Sequence, residues 1–276
     1  MGSIEQQVAG HYTHGTLESA ILAGLAALRN VSEATEIDQL ASVDEFHLGG
    51  RAATRAVAEQ LRLRPGLKVL DIGCGLGGTA RFLASAHGCE VAGVDITPEF
   101  VEVGEKLNRH LGLDGRISLK VASALATPYA ESSFDRATML HVGMNIADKA
   151  ALFSEIARVM KPGGFLVVYD VMRSGREPLT YPVAWASDET TSFVGSPTDY
   201  REALDASGFD VLEETGKRDF ALEFFRVLKA RLAAGGPPPL GLHIVMGKDA
   251  PQKVANMHAG LETGAITPVQ LLAQRR

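Results

Sequence analysis

Asp71 and Asp95 stand 24 positions apart, each at the end of a short apolar run, with a glycine-rich stretch between them. The first run reads Val69-Leu70-Asp71-Ile72-Gly73-Cys74-Gly75-Leu76-Gly77-Gly78. Glycines after a strand let the backbone turn sharply and approach a ligand, and a helix that opens there turns free N–H groups toward it. An acid at the end of the next strand can accept both hydroxyls of a ribose. This much suits any nucleotide-like ligand. Gly73, Gly75 and Gly78 even satisfy GxGxxG, which alone is a weak motif.

Asp71 narrows the choice. A diphosphate beside its carboxylate meets a repulsion of ~1–4 kcal/mol at a separation of about 4 Å, whereas an ammonium is attracted. The ligand with a ribose, an ammonium and no phosphate is S-adenosyl-L-methionine, which leaves a methyl-transfer reaction as S-adenosyl-L-homocysteine.

The elements that must position these groups follow from periodicity. Lys68–Ile72, Glu90–Val94, Arg116–Val121, Phe134–Leu140, Phe165–Tyr169 and Phe209–Glu213 read as strands, and Val269–Ala273 as a last one. Thr16–Arg29, Thr79–Ala86, a segment opening at Thr97-Pro98, a segment capped by Asp148, Thr198–Ala206 and Phe220–Leu232 read as helices. Lys161-Pro162-Gly163-Gly164 ends the Asp148 helix, and Ala233–Pro239 is a helix stop with a stiff loop. Strands alternating with helices imply right-handed parallel βαβ units covered on both faces.

Four strings in order, VLDIGCGLGG, VAGVDIT, SSFDRATMLH and ARVMKPGGFLVVYD, resemble a class I S-adenosylmethionine-dependent methyltransferase over about residues 63–213. Asp44-Glu45-Phe46-His47-Leu48-Gly49-Gly50 with Ala53-Thr54, His141-Val142-Gly143-Met144-Asn145 and Gly264-Ala265-Ile266-Thr267-Pro268 resemble, more narrowly, the sarcosine/dimethylglycine N-methyltransferase type. The resemblance implies an α/β fold: a three-layer, Rossmann-like, seven-stranded sheet, mostly parallel with the last strand antiparallel. N-terminal helices precede it and a helical insertion precedes the last strand. Residues 1–62 then form a helical lid segment. Residues 63–276 form the methyltransferase domain, with insertions at about 171–197 and 217–264.

The resemblance also implies a cofactor site. Asp71, Gly73, Cys74, Gly75 and Gly77 surround the methionine portion, Asp95 holds the ribose, and Ile96 lies against the adenine. The family places an acid after strand three for the adenine amino group; here that stretch is Ala122-Ser123-Ala124. Ser123, or the backbone of Ala124 and Leu125, is left to serve. His141 approaches the sulfonium end, and Tyr12 closes over the pocket from the N-terminal segment.

Methyl transfer requires the acceptor atom, methyl and sulfur in line, with water excluded. Acceptor-side candidates come from loops at strand ends: His141, Asn145, Tyr169, Tyr181 and Trp185, with Asp170, Met172 and His11 near them. An aromatic set among them can hold a cationic amine. His141 reads as a pocket residue more readily than as a proton carrier. His47 beside Gly49-Gly50 reads as a structural turn ahead of a substrate-side role. Phe220, Phe224, Phe225 and Leu228 read as core or dimer surface. The histidines show no metal-ligand spacing, so no metal is expected.

Composition bounds the rest. The chain has 276 residues, 46% hydrophobic, a net charge of −6 and two cysteines. That is enough to bury a core and is the wrong charge for a phosphate-tracking nucleic-acid binder. No run is long enough for a membrane span, and the start lacks a secretory or myristoylation pattern. A reduced cytoplasmic enzyme, monomer or homodimer, is expected. Its acceptor is a small molecule, first an amine or amino-acid nitrogen, second the oxygen or carbon of a natural product or quinone-like ring. A dinucleotide-dependent oxidoreductase and a non-catalytic cofactor-fold binder are the readings of other classes.

Overall fold

Among the described residues four helices precede the sheet: α1 (Ser3–Tyr12), α2 (Leu17–Leu28), α3 (Glu36–Asp44) and α4 (Gly50–Gln60). Strands and helices then alternate as β1 (Lys68–Ile72), α5 (Gly78–His87), β2 (Glu90–Asp95), α6 (Pro98–His110), β3 (Ile117–Val121), β4 (Phe134–Leu140), α7 (Lys149–Val159) and β5 (Met160–Arg173). The chain ends with α8 (Pro197–Ala206), β6 (Phe209–Gly216), α9 (Arg218–Gly235), α10 (His243–Met246), α11 (Ala250–Glu262) and β7 (Ile266–Arg275). The computed structural model describes residues 2–29, 34 and 36–276.

One seven-stranded sheet runs in the order β3-β2-β1-β4-β5-β7-β6. Strands β1 to β5 pair in parallel, and β7 lies antiparallel between β5 and β6. This is the expected sheet. Val69 to Ile72 of β1 are all buried because helices cover both faces, so adjacent residues enter different cores. Val69, Val91 and Leu119 meet Ala80 and Leu83 of α5 on one face. Leu70, Ala137 and Leu166 meet Leu152, Phe153 and Ile156 of α7 on the other. Local signals place the helix starts: Asp148 accepts from Ala151 N at 2.8 Å, and Ser196 with Asp199 forms a reciprocal cap ahead of Pro197.

Several elements differ from the sequence reading. β5 runs to Arg173 because Asp170 to Arg173 pair with Val269 back to Ile266 of the longer β7, so the irregular segment begins later. Lys161–Gly164 bulges from the ladder, whose register passes from Phe134↔Met160 to Arg136↔Phe165. α1 has no counterpart in the strand-and-helix reading; its apolar pattern is weak, and it is held by contacts far along the chain. α4 packs Ala53 and Val57, with Leu61 just past its end, against Val167, Tyr169 and Leu272 of the sheet, so it belongs to the body of the fold as much as to the helices before it. Among the described residues no helix is long and apolar enough to cross a membrane.

Candidate active site

The strand order reverses between β1 and β4, and at the carboxyl ends of these strands lies a cavity of about 500 Å³. Asp71 and the loop residues Gly73, Cys74 and Gly75 reach it from β1, and Asp95 and Ile96 from β2. Ser123, Ala124 and Leu125 follow β3 into it, and His141 and Asn145 follow β4. Tyr12 of α1 and Trp185 of the segment after β5 also line it. Gly77, Tyr169 and Tyr181 do not. Gly77 starts α5, where an added Cβ would lie 3.0 Å from Leu119 Cδ1. Tyr169 is buried in the core beside Val57 and Leu61, and Tyr181 packs half-buried among the residues around Trp185. Asp170 is also interior, accepting from Tyr200 Oη at 2.6 Å.

The two acids differ in what they leave free. Asp71 Oδ1 accepts from Thr138 Oγ1 at 2.7 Å, whereas its Oδ2 is buried with no partner. Burial pushes this carboxyl up to about 7. Asp95 accepts from Thr97 N at 2.8 Å and Gly75 N at 2.9 Å and lines the cavity, and burial raises its pKa as well. At Gly73, with φ +66°, an added Cβ would lie 2.2 Å from Val142 Cγ2, so only glycine lets the loop close this tightly. A buried carboxylate oxygen without a partner is what an ammonium would take and what a diphosphate would avoid. The residues therefore fit S-adenosyl-L-methionine: Asp71 and the glycine loop for the amino-acid part, Asp95 for the ribose.

Ser123 is already engaged. It accepts from Leu125 N at 3.0 Å and donates to the carboxylate of Glu5. Glu5 comes from α1, lines the same cavity and accepts from Gly2 N at 2.8 Å. An acid thus stands near the position where the sequence shows only Ser123, delivered from 118 residues away. Nothing in the local sequence marks Glu5; only the docking of α1 does.

His141, Asn145 and Trp185 are also committed. His141 has φ +56°. Its Nδ1 donates to Tyr169 O at 3.1 Å, and its Nε2 accepts from Leu48 N at 3.3 Å. Both nitrogens are used, and burial pushes the imidazole down to about 4, so it stays neutral. Asn145 Nδ2 donates to Trp185 O and Thr191 O at 2.9 and 3.0 Å, while its Oδ1 accepts from Tyr12 Oη. Trp185 is buried and donates to Ser192 Oγ at 2.9 Å. These three side chains shape the cavity and tie its walls together.

A second, smaller chamber of about 40 Å³ adjoins the first, roofed by α9 to α11. Phe46, His47, His141 and Ala184 line both. Phe224, Phe225 and Leu228, read from sequence as core or dimer surface, line this chamber, while Phe220 is more than a third exposed and lies against Gly49. His47 thus stands where the two spaces meet. Cys74 is buried as a small packing residue at the edge of the loop. Among the described residues no group of three His, Cys, Asp or Glu could hold a metal ion.

Comparison with known proteins agrees with this geometry. A methyltransferase domain model matches residues 70–168. Methyltransferase GfsG of Streptomyces halstedii is 32% identical over 177 residues, 63% of this chain and 64% of that protein, so the match spans just under two thirds of it. An O-methyltransferase of Pyrenophora dematioidea is 30% identical over 234 residues, covering 84% of each chain. The structure of a Galdieria sulphuraria protein assigned as a sarcosine dimethylglycine methyltransferase superposes with a TM-score of 0.64 at 24% identity, over 80% of this chain and 82% of that one, a likeness of fold. With a methyltransferase domain model matched over its central strands and a relative matched along most of its length, the chain belongs to the S-adenosyl-L-methionine-dependent methyltransferases.

Proposed function

We propose that the protein methylates a hydroxyl group on a small, mainly apolar molecule that spans the junction between the cofactor cavity and the chamber under α9 to α11. The wall of that chamber carries the reading. Phe224, Phe225, Leu228, Met257 and their neighbours present no carboxylate, and the one charged side chain there is the ammonium of Lys253. Such a wall suits an uncharged apolar body. A cationic amine buried there without a counter-charge is penalised by several kcal/mol. Transfer to a carbon of a quinone-like ring would use the same wall. An amine or amino-acid nitrogen is the second reading, favoured by the rings of Tyr12, Phe46, Phe100 and Trp185 along the main cavity.

In this reading residues 1–62 act as a lid on a methyltransferase domain of residues 63–276, and the insertions at about 171–197 and 217–264 wall the acceptor. Both cysteines are free thiols, in keeping with a reducing cytoplasm. The acceptor is a small molecule and not a nucleic acid, and the protein works as a monomer or homodimer.

Incubation with methyl-labelled S-adenosyl-L-methionine and a panel of phenols, alcohols and amines tests the reading. Label on the oxygen of apolar hydroxyl compounds is expected. Label on amines alone, or none on any small molecule, overturns it.

A further inference from the structure

His47 has one ring nitrogen occupied and one free. Nε2 faces Gly50 O at 3.2 Å, Thr54 Oγ1 at 3.1 Å and Glu45 Oε2 at 3.3 Å. Gly50 O and Thr54 Oγ1 are the hydrogen-bond partners, so Nε2 carries the proton, and Glu45 acts on it through Thr54. Nδ1 has no hydrogen-bond partner among the described residues and is not wholly enclosed, and His47 lines both spaces. Glu45 is almost fully buried, accepts from Thr54 Oγ1 and pairs with Arg51 Nε at 3.2 Å. An imidazole with one nitrogen fixed by Gly50 O and Thr54 Oγ1 and the other unbonded beside a cavity is oriented to accept a proton.

We infer that His47, oriented by Gly50 O and Thr54 Oγ1, takes the proton of the acceptor hydroxyl during transfer. This rests on the hydroxyl reading above. The acceptor oxygen uses a lone pair to bond the methyl carbon while the bond from that carbon to sulfur breaks. The bonding pair stays on sulfur, which loses its positive charge. The hydroxyl proton goes to Nδ1 of His47, so the one positive charge moves from sulfur to the imidazole. His141 is ruled out of this part because both of its nitrogens are spent.

Burial, with His141 and Arg51 close by, pushes the His47 pKa down to about 3, so the ring is neutral at rest and only weakly basic, which restricts the acceptor to an acidic hydroxyl such as a phenol's. Burial and Asp44 push Glu45 up. The groups facing the pair are Asp44 on α3, Arg51 and Thr54 on α4, Asp71 on β1, His141 after β4 and Tyr169 on β5, with Lys253 of α11 across the small chamber.

The test uses 2-naphthol as acceptor and benzylamine as comparator. His47→Gln is expected to lower kcat for 2-naphthol by ~10²–10³-fold. S-adenosyl-L-homocysteine affinity and the KM for 2-naphthol should stay within a few-fold, and imidazole should restore part of the rate in His47→Ala. Nitrogen-15 NMR of histidine-labelled wild-type protein should show His47 protonated at Nε2 and bare at Nδ1. That measurement needs neither an acceptor nor a variant that folds. A His47→Gln enzyme with wild-type kcat, or a His47 protonated at Nδ1, overturns the inference and leaves the hydroxyl reading standing. Transfer to benzylamine and not to 2-naphthol overturns the hydroxyl reading and the inference with it.

Discussion

The hydroxyl of Tyr12 donates to Oδ1 of Asn145 at 3.0 Å, joining the last residue of α1 to the loop after β4 across 133 positions of chain. Asn145 uses its amide to hold the carbonyls of Trp185 and Thr191, so one side chain gathers the first helix and the segment after β5 over the cavity. Tyr12→Phe keeps the ring and removes the bond, a loss of ~0.5–1.5 kcal/mol. The expected result is dissociation of S-adenosyl-L-homocysteine roughly 2–10-fold faster by stopped-flow fluorescence, with a thermal midpoint close to wild type. An unchanged off-rate would show that α1 does not hold the ligand in.

Asp71 is expected to make cofactor binding pH-dependent. Burial pushes its carboxyl up to about 7. A bound ammonium favours the ionised form, so below that pH binding must expel a proton. Affinity for S-adenosyl-L-homocysteine should therefore rise with pH up to about 7 and flatten above it, with a slope of up to about tenfold per unit. Calorimetry in buffers of different ionisation enthalpy should detect the released proton. Asp71→Asn should bind roughly 10–150-fold more weakly at pH 8 and lose the slope.

Arg81 is a stability element. It is fully buried and donates to Asp44 Oδ2 at 2.7 Å, Leu76 O at 2.6 Å and Asn108 Oδ1 at 2.8 Å. It thereby fastens α3 to the start of α5 beside the glycine loop. Arg81→Ala leaves the Asp44 carboxylate buried without its counter-charge, at a cost of ~3–5 kcal/mol. Urea denaturation should show that loss. A change below about 1 kcal/mol would mean that water or a shifted side chain replaces the guanidinium.

Gly73 and Gly163 separate backbone strain from steric closure. Both have positive φ, +66° and +77°, but an added Cβ at Gly163 meets nothing within 4 Å, whereas at Gly73 it meets Val142. Gly163→Ala should cost ~1–2 kcal/mol and leave cofactor affinity alone. Gly73→Ala should cost more and weaken S-adenosyl-L-homocysteine binding at least tenfold, because the loop must open to make room. Equal binding by the two variants would contradict the placement of the loop against the ligand.

Much of this protein was legible along the chain. The alternation of strands and helices, the glycine loop and the two acids at strand ends are encoded within about thirty consecutive residues each, where short-range geometry leaves few alternatives. Asp71, Asp95, Ile96, Ser123 and His141 were all read as cavity residues, and all line it. Tyr169 and Tyr181 were read as candidates too, but a strand end alone does not say whether a side chain turns to the cavity or to the core. β5 continues past Tyr169, and its partner β7 lies a hundred residues further on.

By itself the sequence determined the sheet's parallel half, the loop that turns at its edge and the charge that loop offers a ligand. Only the tertiary structure decided what closes the cavity and which histidine keeps a free nitrogen. His47 and His141 are the same residue type. His141 spends both nitrogens on Leu48 and Tyr169, which packing brings from separate elements, whereas His47 spends one on Gly50 and Thr54 of the helix that follows it. Glu5 reached Ser123 in the same way, through a helix whose docking depends on surfaces that form only once the sheet is folded.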